Sequence, residues 1–494
     1  DYSGGGVALN YIGDVLAIGA HSADSDGSNS SPPYSEGHVR TFIGQTKQID
    51  GTPVTTQVQT GTLPAEMSLK AGGTSANPDL SISMTPGGTV YEDQTTIPKI
   101  TVLDTDVAFT ADARNVIYGV YSGDEMTGQT FPYGTRGKTI DLNGDGTIMC
   151  VGSGKHDSQK GHVRVFKANG TAWDQIGEVT GDNAGDQFSR CAISEDGKTI
   201  VVGTRNNENA GYCKVYKYED DQWVPLGYTI DGVGGNFGCC VDISTDGTAI
   251  VAGAVYWNNP SGPGAGGHGC LRVYDLTNGD WVQRGNYTDM IGDYAGFKLG
   301  TDCAMSANGN IVAGAYYEAT NANVSNGPDV PGGVKVYDYT TGTWQQLGSN
   351  ITVDFADCVN VSLSHDGTVV AFGSAYDNDD GNKNDSGAIY TAKYANGEWT
   401  QTAKIAGESP SIYMHTTQLN AAGDVLAVGS YRDEIEGTQN GVTRLYYWSG
   451  SAWNLIGSPI EGEMPNDRSG GSLALNYIGD VLAIGAHLAD LNNN

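Results

Sequence analysis

Apolar and polar residues alternate along most of this chain, in short runs that are separated by glycine-containing turns. A typical unit has an apolar run, a turn such as EDG or TDG, and a second apolar run that ends in Gly-Ala or Gly-Ser. Alternation with a period of two is typical of half-buried β-strands, and glycine supplies the positive φ that a tight hairpin turn needs. The pattern therefore predicts an all-β protein built from hairpins.

The hairpin unit recurs along the chain at intervals of 50 to 62 residues. The repeated turn glycines are Gly146, Gly197, Gly247, Gly309, Gly367, Gly423 and Gly479. Each hairpin is followed by a third apolar run, such as HVRVF from His162, and several units then continue into a run that contains tryptophan. This length and order of strands suit one blade of a β-propeller. We therefore predict a β-propeller of four-stranded blades, with seven blades and eight as the alternative.

A tryptophan occupies the same place in six units. These residues are Trp173, Trp223, Trp281, Trp344, Trp399 and Trp453. Six repeats of one position favour a structural role over ligand stacking, so we expect the tryptophans to pack between blades.

Thirteen residues, LNYIGDVLAIGAH, occur twice, from Leu9 to His21 and again from Leu475 to His487. The other units share little beyond the turn glycine and a few apolar positions, so blade-to-blade similarity does not account for this identity. Two explanations stay open: the chain spans just over one period of a tandem array, or its ends are interchangeable in a head-to-tail assembly.

The repeat divides the chain into three parts. Residues 1–43 form a blade unit that copies the C-terminal unit, and residues 136–494 contain the remaining blades. Residues 44–135 lack tryptophan and the third-strand pattern. We predict that this middle part is either an inserted β domain or a degenerate blade.

The composition excludes some partners. The 494 residues include 57 Asp and Glu against 26 Lys and Arg, a net charge of −31. Such a surface repels phosphate backbones and anionic membranes, so we expect no nucleic-acid partner. No apolar run reaches about 18 residues, so we expect no membrane span. The charge is compatible with divalent cations, with high salt, or simply with solubility.

The units resemble the FG-GAP repeat of integrin α-chain-like β-propellers. The resemblance is carried by GDQFSRCAISEDGKTIVVG from Gly185 and SGAIYTAKYANGEW from Ser386, and it covers residues 1–43 and about 136–494. It implies an extracellular seven-bladed propeller of the kind found in adhesion and surface-layer proteins, including secreted proteins of algae and marine microbes.

The same resemblance implies calcium as a cofactor, because the family binds it in acidic, glycine-containing loops. The best matching loop is YDNDDGNKNDSG, with Asp377, Asp379 and Asp385, and a second is SADSDGSNS, with Asp24 and Asp26. Neither loop has the full family spacing. The alternative is that both are solvated acidic loops.

Other candidate sites carry less specific signals. The chain has no CxxC pair and its eight histidines are scattered, which argues against a zinc site. Disulfides are possible between blades near the axis, with no pairing assigned among Cys191, Cys239, Cys240, Cys303 and Cys358. Glycosylation sequons occur at Asn29, Asn169, Asn286, Asn323, Asn350, Asn360 and Asn384.

No catalytic motif stands out, so the leading prediction is a non-enzymatic extracellular structural or adhesion protein, secreted or on the cell surface. It would self-associate as a homo-oligomer or filament, as a propeller unit of a repeating or fibrous surface assembly, and it would contact glycans or matrix. The runner-up is a calcium- or glycan-binding receptor-like module. The third hypothesis is a secreted enzyme with its site in the propeller mouth.

Overall fold

The structure is a computed structural model. It describes residues 139–169, 173–204, 210–232, 234–260, 267–286, 290–317, 332–353, 358–377, 385–433, 439–462 and 468–486. For residues 38–43, 45–46, 67–74, 77–84, 107–108, 115–118 and 358–359 it describes the backbone alone.

Seven antiparallel sheets of four or five strands make up the body of the described chain, and six of them are blades built from consecutive strands. Blade 1 contains Ile140–Leu142, Ile148–Ser153, His162–Ala168 and Trp173–Thr180. Blade 2 contains Arg190–Ile193, Thr199–Gly203, Tyr212–Glu219, Gln222–Pro225 and the short Ile230–Asp231. Blade 3 contains Phe237–Ile243, Ala249–Ala254, Cys270–Thr277 and Asp280–Arg284.

The next three blades repeat this order. Blade 4 contains Cys303–Met305, Ile311–Tyr317, Gly332–Asp338, Gln345–Gln346 and Ile351–Val353. Blade 5 contains Cys358–Leu363, Val369–Ser374, Ala388–Ala395 and Glu398–Ala406. Blade 6 contains Thr416–Leu419, Val425–Ser430, Val442–Trp448 and Trp453–Glu461. The described helix is a four-residue turn at His156–Gln159. The predicted all-β propeller is therefore confirmed.

The remaining large sheet, which we call the closing sheet, is assembled from both halves of the chain. Its first two strands are Ser469–Leu475 and Val481–Ala486, its third is His38–Ile43, and its fourth is Asn115–Tyr118. The third strand pairs with the second from His38 opposite Ala486 to Ile43 opposite Val481. The C-terminal copy of the duplicated segment thus provides the hairpin turn and second strand of this sheet, while the N-terminal copy lies outside the described residues.

Two small two-stranded sheets complete the described strands. Gln45–Thr46 pairs with Val107–Ala108, and Met67–Thr74 pairs with Asn77–Met84. These strands fall within the part of the chain that breaks the repeat, between positions 44 and 135, and so does the fourth strand of the closing sheet. The three-part domain division stays a prediction.

The blades pack closely because each second strand contains a glycine at or after its midpoint. A Cβ on Gly152 would lie 1.9 Å from the Ser189 carbonyl oxygen of the next blade, and one on Gly373 would lie 1.7 Å from the His415 carbonyl oxygen. No side chain fits at such distances. Apolar side chains from neighbouring blades, such as Ala427 with Leu473, fill the remaining space between the sheets.

The tryptophans join neighbouring blades, as predicted. The indole Nε1 of Trp281 donates to the Leu226 carbonyl at 2.8 Å, and that of Trp399 donates to the Leu347 carbonyl at 2.8 Å. Trp344 makes the equivalent bond. Each of these hydrogen bonds crosses from one blade to the one before it.

Candidate functional site

The strand order gives the propeller two unlike ends. Each first strand runs from the upper end to the lower end, so the turns between first and second strands lie below. The loops between second and third strands, and those between successive blades, lie above. We treat the two ends as separate candidate sites.

The lower end carries a closed circle of backbone hydrogen bonds, which we call the lower ring. One residue of each turn donates its N–H to the carbonyl of its counterpart in the next sheet, at 2.9–3.0 Å, and the seventh donates back to the first. The ring residues are Gly144, Glu195, Thr245, Ala307, His365, Ala421 and Tyr477. The circle joins the six blades and the closing sheet around one axis.

The channel behind the lower ring is small. It contains a partly open cavity of about 80 Å³, lined by ring residues such as Glu195, His365 and Tyr477 and by first-strand residues such as Asp242. That is room for a few water molecules, whereas pockets for small organic ligands measure roughly 300–1,000 Å³. This cavity is therefore smaller than a typical pocket for an organic ligand.

Polar side chains inside the channel hold the blades together. The Oδ2 of Asp242 accepts the Met305 N–H at 2.8 Å, and the Oδ2 of Asp302 accepts the Val361 N–H at 3.0 Å. Asn360 donates its amide to Asp302 Oδ2 at 2.9 Å. These hydrogen bonds join neighbouring blades at their first strands, so the buried carboxylates stabilise the packing of the blades around the axis.

The upper end has a repeated backbone irregularity. At five blade boundaries, a residue just before the first strand is in the left-handed region although it is not glycine. These residues are Gln187 (φ 49°), Asn236 (φ 65°), Lys298 (φ 56°), Tyr413 (φ 52°) and Arg468 (φ 54°). Such a conformation costs a residue with a Cβ about 1–2 kcal/mol, and strain of this kind collects at ligand sites.

Aromatic and cationic side chains gather at the upper end of blades 5 and 6 and the closing sheet. We call Tyr376, Tyr413, Tyr431, Arg432 and Arg468 the tyrosine–arginine patch. The Arg432 guanidinium lies 4.6 Å from the Tyr413 ring centroid and 5.5 Å from that of Tyr431, and Arg468 lies 5.9 Å from the Tyr431 ring. Tyr376 meets Tyr413 edge-on with centroids 5.7 Å apart. All five side chains are partly exposed.

A second group on the upper end contains possible metal ligands. His156, His162 and Glu178 of blade 1 place one ligand atom each within 4.8 Å of one another. The adjacent His162 and a hydrogen bond from Arg164 lower the pKa of the Glu178 carboxyl to about 2, against the opposing effect of partial burial. The histidines are scattered in sequence, yet the fold brings two of them together.

The predicted calcium residues are only partly described. The Asp377 carboxylate is buried and bonds to the Tyr390 hydroxyl and to Lys404 Nζ, the latter at 3.0 Å. Asp385 accepts a hydrogen bond from the Tyr413 hydroxyl at 3.2 Å. The other predicted ligands, Asp379, Asp24 and Asp26, lie outside the described residues. Calcium binding stays a prediction.

The described cysteine side chains are unbridged and buried, and no pairing joins those that we considered for disulfides. They are Cys150, Cys191, Cys213, Cys239, Cys240, Cys270 and Cys303, and the Cys358 side chain is not described. Burial raises the pKa of Cys270 and of Cys303 to about 12. Both are therefore neutral thiols at pH 7 and unsuited to act as nucleophiles.

The sequons fall in unlike surroundings. Asn169 donates to Asp174 at 2.9 Å on an exposed turn, and Asn350 accepts a hydrogen bond from exposed Gln346. Asn360, by contrast, also accepts the Thr417 N–H and so spans three blades. Asn286 is described, while Asn29, Asn323 and Asn384 lie outside the described residues. Glycosylation stays a prediction.

No family model matches the chain, and no curated protein matches its sequence. Solved structures do match. The periplasmic gluconolactonase of Pseudomonas aeruginosa is 14% identical, with a TM-score of 0.46 over 87% of this chain and 98% of that one. Hydrazine synthase of Kuenenia stuttgartiensis is 14% identical, with a TM-score of 0.47 over 73% and 94%. A putative 6-phosphogluconolactonase of Bacteroides uniformis is 14% identical, with a TM-score of 0.43 over 66% and 86%. At this identity the likeness concerns the fold alone.

These matches correct the leading functional prediction. The leading prediction, a non-enzymatic structural or adhesion protein in a fibrous surface assembly, is contradicted: a non-enzymatic role does not follow from this fold, which the chain shares with a gluconolactonase and two putative 6-phosphogluconolactonases. The prediction that the chain is no enzyme loses its support for the same reason. Within the described residues, no helix has the length and apolar character to cross a bilayer.

Proposed function

We propose that the protein binds an acidic carbohydrate at the upper end of the propeller, on the tyrosine–arginine patch. The observation that carries the proposal is the stacking of the Arg432 guanidinium over the rings of Tyr413 and Tyr431 on a partly exposed surface. The chain has 26 basic residues against 57 acidic ones, and the patch places two arginines on one aromatic surface, with Asp385 hydrogen-bonded to Tyr413 beside them.

The chemistry of the patch suits such a ligand. A guanidinium is planar and can bind a carboxylate through two parallel hydrogen bonds, and it also packs against tyrosine rings. The exposed tyrosine surface is suited to the apolar face of a sugar ring. Together these groups favour a hexuronic acid or another sugar that carries a carboxylate.

The backbone supports a binding role for the same surface. Tyr413 and Arg468 both have left-handed φ angles, which a residue with a Cβ adopts only at a cost in free energy. Both residues lie in the loops that place their own side chains in the patch. Backbone strain of this kind is often found at ligand sites, although here it also recurs at blade boundaries outside the patch.

The remaining expectations accompany this proposal. The FG-GAP resemblance, the extracellular location, self-association and calcium in the acidic loops all belong with it as proposals.

Isothermal titration with oligomers of a hexuronic acid, and with neutral hexose oligomers of equal length, tests the proposal. We expect the acidic series to bind and the neutral series to bind at least about tenfold more weakly, as the loss of one charged hydrogen bond implies. Arg432→Gln and Tyr431→Ala should each weaken acidic binding by a similar factor. Tyr228→Ala is the control, because Tyr228 is 79% exposed on blade 2 and lies outside the patch.

Equal affinity for acidic and neutral oligomers, or no effect of either patch variant, would contradict the proposal. Chromatography of the oligomers after incubation adds a second readout. Products that appear with the wild-type protein and not with Arg432→Gln would make the patch the binding site of an enzyme, and unchanged oligomers would leave it a site for binding.

A further inference from the structure

The third strand of blade 1 begins beside a turn that reverses the chain tightly. Three successive residues of this turn, Asp157, Ser158 and Gln159, have left-handed φ angles of 45°, 57° and 65°. His156 precedes them and His162, the first residue of the strand, follows them. The reversal stacks the two imidazole rings, with centroids 4.1 Å apart and planes 22° apart.

The fourth strand of blade 1 brings a carboxylate to the same place. Thr180 is the strand partner of His162, and Glu178 is the partner of Arg164. Glu178 therefore lies one diagonal step from His162, within reach of its side chain. The distance from Glu178 Oε1 to His162 Nδ1 is 3.4 Å.

A buried imidazole nitrogen that lacks a hydrogen-bond partner or a metal ion costs free energy of folding. The His162 side chain is 2% exposed, and its Nδ1 contacts Glu178 only at ion-pair distance. The Nδ1 of His156 is buried and has no hydrogen-bond partner among the described residues. Buried ring nitrogens are normally hydrogen-bonded or bound to a metal ion.

A neighbouring arginine orients the carboxylate. The Nε of Arg164 donates to Glu178 Oε2 at 2.7 Å. The other oxygen, Oε1, faces the histidines. Ligating carboxylates are commonly held in this way by a hydrogen bond from outside the ligand set, and the loss of such a bond typically weakens metal binding 10–100-fold.

We propose that His156, His162 and Glu178 form a site for a divalent first-row transition metal, with Zn²⁺ as the best fit. Two imidazole nitrogens and one carboxylate oxygen are the protein ligands of a known class of four-coordinate zinc site, in which the fourth position takes water or a ligand. Hard cations such as Ca²⁺ prefer sites made of oxygen, so this site and the acidic loops would bind different ions.

Metal content and isothermal titration of the full chain, purified without a histidine tag, test the proposal. We expect the wild-type protein to bind one more equivalent of Zn²⁺ than His156→Ala or Glu178→Gln. We expect Arg164→Gln to keep the equivalent and bind it about tenfold more weakly. His365→Ala is the matched control, because His365 is a partly exposed histidine at the opposite end of the channel.

Cobalt provides a readout that needs no catalytic activity. Co²⁺ bound by nitrogen and oxygen in a four-coordinate site absorbs visible light strongly, and this absorption should be lost in His156→Ala and kept in His365→Ala. The side chain of His156 is only partly buried, so its removal should leave the fold intact, which circular dichroism checks. Equal zinc stoichiometry and affinity in wild type and His156→Ala would overturn the proposal.

Discussion

The two ends of the propeller differ in their hydrogen bonding and in the residues of their loops. At the lower end, every sheet contributes one residue to the same backbone circle, and the bonds differ by only 0.1 Å in length. At the upper end, the equivalent loops differ in length and residue type, and several hold side chains in left-handed backbone. The lower end is uniform because its bonds join backbone to backbone, which almost any side chain tolerates.

We interpret this difference as a division of roles: the lower end stabilises the ring of blades, and the upper end binds ligands. A circle of backbone bonds closes the ring of blades and is indifferent to whether its member is Gly144, Glu195 or Tyr477. The upper loops also contain a repeated backbone bond, such as the one from the Gly181 N–H to the Gly161 carbonyl at 3.0 Å, but that bond lies within one blade and does not close the ring. The tyrosine–arginine patch and the His156–His162–Glu178 group both lie there, so we expect changes below to affect folding and changes above to affect binding.

The largest effect should come from removing both copies of the hairpin that closes the ring. Residues 469–475 read SGGSLAL and residues 3–9 read SGGGVAL, so the similarity of the two ends includes the first strand as well as the identical thirteen residues. Either copy could therefore pair with His38–Ile43. We expect chains that lack residues 468–494 or residues 1–37 to keep a cooperative thermal transition, and a chain that lacks both segments to lose it.

Circular dichroism during heating measures this outcome. If the chain without residues 468–494 unfolds as gradually as the chain without both segments, then the N-terminal copy cannot replace the C-terminal one, and the identity of the copies has another cause.

A smaller but still large effect should follow from Gly373→Ala. The added Cβ would lie 1.7 Å from the His415 carbonyl oxygen of the next blade, so the two sheets must separate. Overpacking of this kind costs about 3 kcal/mol of unfolding free energy. Gly397→Ala is the control: it has a φ of +91° and no atom near the added Cβ, so it should cost only about 1 kcal/mol. Denaturant unfolding compares them, and equal costs would contradict the close-packing explanation.

A moderate effect should distinguish two tryptophans. Trp281→Phe removes the hydrogen bond to the Leu226 carbonyl, while the Nε1 of Trp223 is buried without a partner among the described residues. Both changes remove the same volume, so we expect Trp281→Phe to be more destabilising than Trp223→Phe by about 1 kcal/mol. A greater loss of stability in Trp223→Phe would show that the indole bonds are not what joins the blades.

The smallest effect should be a dependence of stability on pH at the lower turns. Partial burial would raise the pKa of Asp246, yet hydrogen bonds from Ser244 and Thr248 lower it below its usual value. Asp366 is lowered in the same way. A lowered pKa stabilises the folded state above the ordinary carboxyl pKa of 3.8, and this stabilisation is lost as the pH falls through the folded-state value.

Thermal unfolding between pH 7 and pH 3 measures that dependence. The melting temperature of the wild type should fall more steeply below pH 4 than that of Asp246→Asn with Asp366→Asn, because the asparagines cannot take up a proton. Parallel curves would mean that other carboxylates account for the acid sensitivity.

More features of the lower end than of the upper end could be predicted from the sequence. The turn glycines and the alternating strands predicted blades, and the repeated tryptophans predicted contacts between them, since each follows from a pattern that recurs at fixed spacing. The tyrosine–arginine patch shows no such pattern: Tyr376, Tyr413, Tyr431 and Arg468 come from different loops of neighbouring sheets. Left-handed residues such as Tyr413 give no signal either, because tyrosine is uncommon in that conformation.

The sequence by itself therefore determined the strands, the hairpin turns and the propeller, because hydrophobic alternation and turn chemistry act between near neighbours in the chain. Only the tertiary structure decided which distant residues meet. His162 and Glu178 are sixteen positions apart and meet through the register of two strands. His38–Ile43 pairs with Val481–Ala486 because the unpaired N–H and C=O groups at the edge of a sheet form hydrogen bonds with another strand, whatever the distance along the chain.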